Sequence, residues 1–238
     1  MVQAKNRKKY IADNVASLAS RIAGAESRAG RRPGSAKLLA ATKNRSVEEV
    51  LEAVGAGVRL LGENRVQELL EKEPAVRGLA EMHFIGHLQR NKVRQVVGLV
   101  ELIHSVDSER LAAAIDERAG GLGIRQKVLV QVNVAGEESK SGIGPPEAEA
   151  FIARLGELEN VEPVGLATIA PLADDPEEIR WVFSRLRELA ESLQGSATGF
   201  ESPELSMGMT GDFEIAVEEG STLVRIGTAI FGPRESEQ

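Results

Sequence analysis

Cysteine is absent from the 238 residues of this sequence. Disulfide bonds, thiolate catalysis and cysteine-based zinc sites are therefore excluded together, and no metal centre is expected. The sequence also lacks any apolar run approaching the roughly 18 residues that span a membrane. Residues 1–5 have no apolar segment of the kind found in a secretory signal. We expect a cytoplasmic protein that does not enter a membrane.

Basic residues are outnumbered, since 29 lysines and arginines stand against 36 acidic residues and the formal net charge is -7. Nucleic acids select strongly basic surfaces, so a nucleic-acid partner is not expected. Local basic runs at residues 5–9 and around Arg90, Lys92 and Arg94 are interpreted as solvated helix faces or chain ends. An apolar content of 42% is ordinary for a globular protein and supports one large core.

Short apolar runs alternate with longer amphipathic segments from residue 37 onward. The runs predict eight strands, at residues 37–42, 58–62, 82–85, 101–105, 128–134, 163–169, 204–206 and 222–226. The fifth is nearly continuous in apolar residues, which is typical of a strand buried on both faces. Helix-start signals follow several strands, among them the capping box of Ser46 and Glu49 and the pair Asp175-Pro176, whose helix is predicted to end near Gly195.

Strand–helix units without a long antiparallel segment predict parallel strands joined by crossovers, and eight such strands close a barrel. We therefore predict an α/β fold, a single (β/α)8 TIM-type barrel domain over residues 1–238. The barrel itself is predicted at about 37–232, with an extra N-terminal helix at about 9–29. A doubly wound open sheet is the alternative, and the absence of a GxGxxG segment after any strand weakens it.

Functional residues of such barrels lie at the C-terminal ends of the strands. The predicted strand ends carry polar and small residues that are far apart in the sequence: Lys43, Asn64, Gly86, His87, Ser105, Asn133, Thr168, Ser206, Gly227 and Thr228. Barrels often bind phosphate after strands seven and eight, where small residues let backbone N–H groups approach an anion. An amine at Lys43 and a phosphate cradle near Gly227 predict a ligand with an aldehyde and a phosphate. Pyridoxal 5'-phosphate (PLP) is the common molecule with both.

Each of these residues also has a structural interpretation. Lys43 taken alone is a solvent-exposed lysine after a strand, and Asn64 is a favoured helix N-cap. Arg225 lies within an apolar strand, where a charge is costly unless it is paired, so a structural ion pair is its alternative to ligand binding. His87 is interpreted as a loop histidine or a phosphate contact. The histidines within predicted strands are expected to be packed there: His83 and His104.

Several long segments carry a family resemblance in addition: Leu38 to Lys43, Gly62 to Glu68, His83 to Lys92, Ser139 to Gly142, Leu205 to Met209 and Gly220 to Gly232. Together they resemble the pyridoxal phosphate homeostasis protein family from about residue 37 to the end, and several motifs in the right order make the resemblance specific. It implies the barrel of the alanine racemase N-terminal domain (PLP fold type III), without that enzyme's second β domain.

The resemblance also implies roles for individual residues. It implies that Lys43 forms a Schiff base with PLP, that Asn64 lies near the ring and that Arg225 faces the pyridine nitrogen. It implies that the phosphate is held near the last two strands by Ser206, Gly227 and Thr228. Further cofactor contacts are expected at Met207, Gly208 and His87. Thr42 and Ala167 depart from the serine and methionine common in the family, which affects ring packing only.

An arginine at the pyridine nitrogen, as the resemblance implies, bears on activity. PLP enzymes use the ring as an electron sink, and an arginine stays charged and cannot accept a proton, so carbanion chemistry is poorly supported. Alanine racemases add a tyrosine base from a second domain, whereas the one tyrosine here, Tyr10, lies in the N-terminal helix. We expect a monomeric PLP-binding regulatory or carrier protein with little or no turnover, and PLP-dependent apo-enzymes are candidate recipients.

Two alternatives remain open. The first is an amino-acid racemase-like PLP enzyme, which would need a second domain or an essential partner. The second is a barrel lyase that uses Lys43 as a Schiff-base amine on a sugar phosphate without PLP. The motif resemblance and the arginine inside the last strand argue against the lyase.

Overall fold

Eight parallel strands form a closed barrel in the computed structural model, which describes residues 2–194 and 200–233, with side chains from residue 6 onward. Each strand pairs with the next, and the last returns to pair with the first. The strands are β1 (Lys37–Ala41), β2 (Leu60–Glu63), β3 (Glu81–Phe84), β4 (Leu102–Val106), β5 (Gln126–Gln131), β6 (Val161–Ala167), β7 (Glu204–Ser206) and β8 (Leu223–Ile226). The prediction of a (β/α)8 barrel is confirmed, and the open-sheet alternative is wrong.

The strands are covered on both sides, which explains their continuous apolar runs. Every residue of β4 and β8 is buried. A small cluster fills the barrel interior: Leu39, Leu60, Leu102, Leu129, Ala167 and Leu223. A larger cluster joins the outer faces of the strands to the helices. Because these apolar side chains fill much of the interior, the barrel is a packed core, and its other interior positions include the buried histidines His83 and His104.

Helices connect the strands and surround the barrel. They are α1 (Val2–Arg28), α2 (Val47–Gly55), α3 (Val66–Val76), α4 (Val93–Val96), α5 (Glu109–Gly120), α6 (Ala148–Gly156), α7 (Arg180–Leu193), α8 (Phe213–Glu218) and α9 (Thr228–Phe231). Short 3-10 turns at Arg90–Lys92, Pro145–Glu147 and Pro176–Ile179 lead into α4, α6 and α7. Within residues 2–194 and 200–233, no helix combines the length and the apolar character needed to cross a membrane.

The extra N-terminal helix, α1, begins at Val2 rather than near residue 9. It packs against α2, α8 and α9, and therefore covers the seam where the last strand–helix units meet the first. The stripe that the sequence predicts for this helix is buried: Ile11, Val15, Leu18 and Ile22. The contact surface of α1 is thus apolar, as expected for an amphipathic helix.

Some element boundaries differ from those predicted. β5 ends at Gln131, because Asn133 belongs to a loop in which its backbone N–H donates to Ile143 O at 2.9 Å. The helix predicted after Asp175 starts as a 3-10 turn and is α-helical only from Arg180. Its predicted end near Gly195 lies outside the described residues.

Candidate functional site

The strand ends bring the predicted site residues to one rim of the barrel. They are Lys43 after β1, Asn64 after β2, His87 after β3, Ser206 at the end of β7, Arg225 in β8, and Gly227 and Thr228 directly after it. Strands β1 and β8 are paired, with Ala40 opposite Ile226. The lysine and the Gly-Thr segment therefore follow neighbouring strands, although 185 positions separate Lys43 from Thr228 in the sequence.

The turn that carries Lys43 is held on both sides by buried or partly buried side chains. On one side, the carbonyl oxygen of Thr42 accepts a hydrogen bond from Lys72 Nζ at 2.7 Å. On the other, the backbone N–H of Asn44 donates to Glu68 Oε2 at 2.6 Å. Asn44 has a φ of 57°, in the left-handed region that asparagine tolerates better than most residues. The backbone before and after Lys43 is thus fixed by residues of α3.

Lys72 belongs to a charged network beneath this turn. It is 1% exposed, and its Nζ donates to Glu63 Oε1 at 2.7 Å and to Glu68 Oε2 at 2.8 Å. Glu63 Oε1 also accepts from the Thr42 hydroxyl at 2.5 Å. Burial raises the pKa of the Glu63 carboxyl, and its hydrogen bonds with Lys72 and Thr42 act in the opposite direction. A buried ion pair of this kind fixes geometry, because breaking it would leave a buried charge without a partner.

Sequence reasoning missed this network. Lys72 stands in a charged stretch of a helix, where a lysine is ordinarily exposed. The available signal was the spacing of Glu68 and Lys72, four residues apart on one helix face, where opposite charges pair. A second signal was Glu63 at the end of a buried strand, where an acid needs a partner.

Arg225 is buried, with 8% of its surface exposed, and its guanidinium is directed at polar atoms of neighbouring strands. Nη1 donates to Ser206 Oγ at 2.5 Å, and Nη2 donates to the carbonyl oxygen of Thr168 at 2.8 Å. Burial lowers the pKa of Arg225 to about 10, while the charge of Asp212 raises it. Arg225 therefore stays charged at neutral pH. Among the described residues its direct contacts are neutral oxygens, so the alternative of a structural ion pair is wrong.

A pair of histidines extends this contact into the barrel interior. His104 Nδ1 lies 2.9 Å from Ser206 Oγ, and His104 Nε2 lies 2.9 Å from His83 Nδ1. Burial lowers the pKa of His83 to about 4 and that of His104 well below its ordinary value. Both rings are therefore neutral at pH 7. The prediction that they are packed within strands is confirmed.

Two sets of tautomers are compatible with these contacts, and in one of them the protons are donated from Ser206 toward His83. Because Ser206 Oγ accepts from Arg225, its own proton is free to be donated to His104 Nδ1. A neutral His104 then carries its proton on Nε2 and donates it to His83 Nδ1. The hydroxyl of Ser206, which is fully buried, is thus engaged with Arg225 and His104.

Asn64 supplies a polar atom that lacks a partner. Its Oδ1 is buried and accepts no hydrogen bond from any described residue. The helix after it begins at Val66 with Arg65 in the N-cap position, so the interpretation of Asn64 as an N-cap is wrong. Buried amide oxygens are almost always hydrogen-bonded. An orphaned acceptor beside the rim is therefore the feature most readily explained by a bound ligand.

Backbone approaches the rim closely at the end of the last strands. Gly208 has a φ of 93°, and a Cβ there would lie 2.6 Å from the Cβ of Ala216. A Cβ on Gly227 would lie 3.0 Å from the carbonyl oxygen of Ala41. Thr228 is exposed at the start of α9, whereas Met207 is fully buried. These glycines therefore allow close packing against α8 and β1, while Thr228 is accessible and the Met207 side chain lies in the core.

His87 is exposed and borders a cavity that also includes Asn64. The cavity has a volume of about 180 Å³, and Gln89 and Lys92 contribute to its lining. A further cavity of about 230 Å³ lies on the other side of His87, next to Arg90 and Asp107. His87 therefore lines both cavities.

Comparison with known proteins agrees with this geometry. The chain matches the family described as alanine racemase, N-terminal domain, over residues 14–235. It is 48% identical over 216 residues to the pyridoxal phosphate homeostasis protein of Aquifex aeolicus (strain VF5), covering 90% of this chain and 94% of the relative. It is 39% identical over 231 residues to the protein of the same name from Escherichia coli (strain K12), covering 94% and 97%.

Solved structures give the same result. PipY of Synechococcus elongatus PCC7942, with PLP bound, matches with a TM-score of 0.82 at 38% identity, over 93% of this chain and 100% of that one. Alanine racemase from Clostridium difficile 630 matches with a TM-score of 0.70 at 19% identity, over 94% of this chain and 57% of the enzyme. At that identity the enzyme shows a shared fold alone.

The closed barrel, with its lysine after β1 and its glycines around β8, is of the alanine racemase N-terminal domain class. Within that class, the chain belongs to the pyridoxal phosphate homeostasis protein family. The resemblance drawn from the sequence motifs is confirmed.

Proposed function

We propose that this chain binds pyridoxal 5'-phosphate through a Schiff base on Lys43 and acts in PLP homeostasis with little or no catalytic turnover. The observation that carries the proposal is the pairing of β1 with β8, which sets the Lys43 turn beside the Gly227-Thr228 segment. An amine and an anion cradle on adjacent strands match a ligand that has an aldehyde and a phosphate. When bound, PLP supplies that aldehyde and an electron-withdrawing pyridine ring.

Different residues would contact different groups of the ligand. Lys43 would supply the amine, held in place by the contacts of its neighbours with Lys72 and Glu68. The backbone at Gly227, with the exposed hydroxyl of Thr228, would hold the phosphate. Ser206 would act on the ligand through Arg225, because its hydroxyl is engaged with that guanidinium. Asn64 Oδ1, buried without a partner, would accept a hydrogen bond from the ligand.

Low turnover follows from the charge of Arg225. A guanidinium that stays protonated at neutral pH donates hydrogen bonds and takes no proton from a pyridine nitrogen. The ring then remains a weak electron sink. A mobile proton also needs a base within reach of the reacting atom. Tyr10 is on α1, where it lies next to Gly232, and the neutral histidines lie beneath Ser206.

The alternative function is an amino-acid racemase-like PLP enzyme. The fold shared with alanine racemase permits it, but the racemase is longer by a region that this chain does not match. A racemase role would require a base supplied from outside the barrel. The sugar-phosphate lyase gains no support, because the structurally similar protein PipY is described with PLP bound.

The proposal has further parts that rest on the sequence. We propose that the protein acts in the cytoplasm as a monomer and that PLP-dependent apo-enzymes receive its PLP. Light scattering coupled to size-exclusion chromatography tests the monomer. Transfer is tested by mixing the PLP-loaded protein with a PLP-free enzyme and a scavenger of free PLP. Activation that the scavenger abolishes would mean that PLP passes through solution.

The experiment for the central proposal is a visible absorption spectrum of the purified protein with PLP, followed by borohydride reduction and peptide mapping. We expect a yellow chromophore that reduction fixes on Lys43. The Lys43→Ala variant should lose the band, although PLP can still bind through its phosphate. Lys127→Ala is the matched control, because this exposed lysine pairs with Glu101 away from the rim. Reduction on another lysine contradicts the assignment, and a racemase assay on the same samples tests turnover.

A further inference from the structure

A groove lies on the outer surface of the barrel between α5 and the segment formed by the Arg90–Lys92 turn and α4. Its volume is about 670 Å³, within the range of pockets that bind small molecules. Four arginines line its walls: Arg90, Arg94, Arg110 and Arg118. Small residues in and directly after α5 also line it, among them Ala113 and Gly121. Arg90 and Arg94 are exposed, as predicted for a solvated face, and they lie opposite the arginines of α5.

The groove arginines differ from most others on this surface in lacking acidic partners. None of the four forms a salt bridge with any residue in the described ranges 2–194 and 200–233. By contrast, Arg180 contacts Glu177, Glu218 and Glu219. Glu117 is the one carboxylate among the described lining residues, which leaves the groove with a net of three positive charges. On a chain of net charge -7, such a concentration of unneutralised guanidinium groups is a local anion-attracting field.

A second observation concerns Arg118. Its Nε is buried and has no hydrogen-bond acceptor among the described residues. A shielded N–H without an acceptor is costly. Guanidinium groups bind phosphate oxygens through paired N–H donors, so an anion seated against Arg118 would supply the acceptor that the protein does not.

The spacing of the arginines indicates more than one phosphate group. Arg110 and Arg118 are eight residues apart on α5, which corresponds to about 12 Å along the helix axis. Arg90 and Arg94 stand on the opposite wall. The charges are therefore spread along the groove instead of converging on one point. An acidic helix of another protein is a poorer fit, because Ala113 and Gly121 provide no pocket for apolar anchors.

We propose that this groove binds a small ligand with at least two phosphate groups, such as a diphosphate or a nucleoside polyphosphate, at a site separate from Lys43. Its neighbour is the cavity of about 230 Å³ that shares Arg90 and Arg110 with the groove and reaches His87. The inference does not depend on PLP binding, because none of its residues belongs to the proposed PLP site.

Isothermal titration calorimetry with inorganic pyrophosphate tests the proposal on the full chain, and adenosine triphosphate serves as the nucleotide probe. The test variant is Arg110→Gln/Arg118→Gln. The matched control is Arg32→Gln/Arg125→Gln, which removes the same charge at exposed arginines outside the groove. A third variant, Thr228→Trp, obstructs the proposed PLP phosphate site. Urea unfolding of each variant establishes that it is folded.

We expect saturable binding that weakens with added salt and that survives in the control and in Thr228→Trp. In the groove variant the dissociation constant should rise about tenfold or more, since each charge-assisted hydrogen bond to an anion is worth a factor of that order. Hydrogen exchange should slow in α4 and α5 when pyrophosphate is added. Equal affinity in the groove and control variants would overturn the proposal, as would loss of binding in Thr228→Trp alone or no binding of either probe. Equal affinities for the two probes would support recognition of the phosphates alone.

Discussion

The guanidinium of Arg225 donates to the hydroxyl of Ser206 at 2.5 Å. The positive charge that we propose lies against the cofactor ring is therefore held by a neutral acceptor. The same hydroxyl lies 2.9 Å from His104, which continues the chain of contacts to His83. Arg225 is thus oriented by neutral buried groups, and the charge of Asp212 opposes the lowering of its pKa by burial. An acidic partner at the same place would have neutralised it and would have offered a base near the site.

Replacing Ser206 by alanine tests this arrangement. Ser206→Ala leaves Nη1 of Arg225 and Nδ1 of His104 without their partner, and a buried unsatisfied group costs about 1–3 kcal/mol. The free energy of unfolding in urea should fall by that amount, and PLP should bind more weakly. Ser192→Ala is the control, because its hydroxyl is exposed and bonds locally to Leu189 O. Equal stability of the two variants would show that the Ser206 contact is dispensable.

The buried histidines predict a dependence of stability on pH. The pKa of His83 falls from 6.5 to about 4 on burial, so between these values the unfolded chain binds more protons than the folded one. The contribution of neutral His83 to the free energy of unfolding is present above pH 6.5 and is lost as the pH falls toward 4. The shift corresponds to about 3 kcal/mol. The raised pKa of Glu63 acts in the opposite direction, so a variant is needed to isolate the histidine.

The measurement is urea unfolding at a series of pH values from 4 to 7. His83→Asn should be less stable at pH 7 and should show a shallower loss of stability on acidification, because it removes one of the protonating groups. His87→Asn, which replaces an exposed histidine, is the matched control for the substitution itself. A parent-like slope in His83→Asn would place the acid sensitivity elsewhere.

The network beneath the Lys43 turn gives a prediction with a rescue. Lys72→Met leaves the carboxylate of Glu63 buried without its cation, which should lower the free energy of unfolding by about 3–5 kcal/mol. The double variant Glu63→Gln/Lys72→Met should recover part of this loss, since the fully buried carboxylate of Glu63 is no longer present. Lys127→Met breaks an exposed pair and should cost about 1 kcal/mol or less.

The same variants also distinguish an effect on the position of Lys43 from an effect on the stability of the barrel. In Lys72→Met the Thr42 carbonyl keeps only the backbone N–H of Arg45, at 3.1 Å, as a donor. The rate at which Lys43 reacts with PLP should therefore fall even in the stabilised double variant. Stopped-flow absorbance measures that rate. A double variant that reacts as fast as the parent would show that the network stabilises the barrel without positioning Lys43.

The barrel and the positions on its rim could be predicted from the sequence because both depend on local patterns. Alternating strand and helix periods gave the order of the elements, and parallel strands bring their C-terminal ends together whatever their register. The hydrogen-bonded chains could not be predicted in this way. His104 and Ser206 are 102 positions apart, and their contact depends on the register and twist of strands that are not neighbours in the barrel. Lys72 appeared exposed because helix periodicity does not reveal a buried acid on a neighbouring strand.

Replacing Asn64 tests whether this residue serves ligand binding or the stability of the fold. Because its Oδ1 is buried without a partner, Asn64→Leu removes an unsatisfied group. Stability should be unchanged or higher by up to about 1 kcal/mol. Affinity for PLP should fall by up to about tenfold, since one hydrogen bond to the ligand is lost.

Asn133→Leu is the contrasting variant, because the Asn133 amide donates to the carbonyl oxygens of Glu137 and Lys140. That change should lower stability instead. Urea unfolding and fluorescence titration with PLP measure both effects, and a destabilised Asn64→Leu would mean that the asparagine has a structural role.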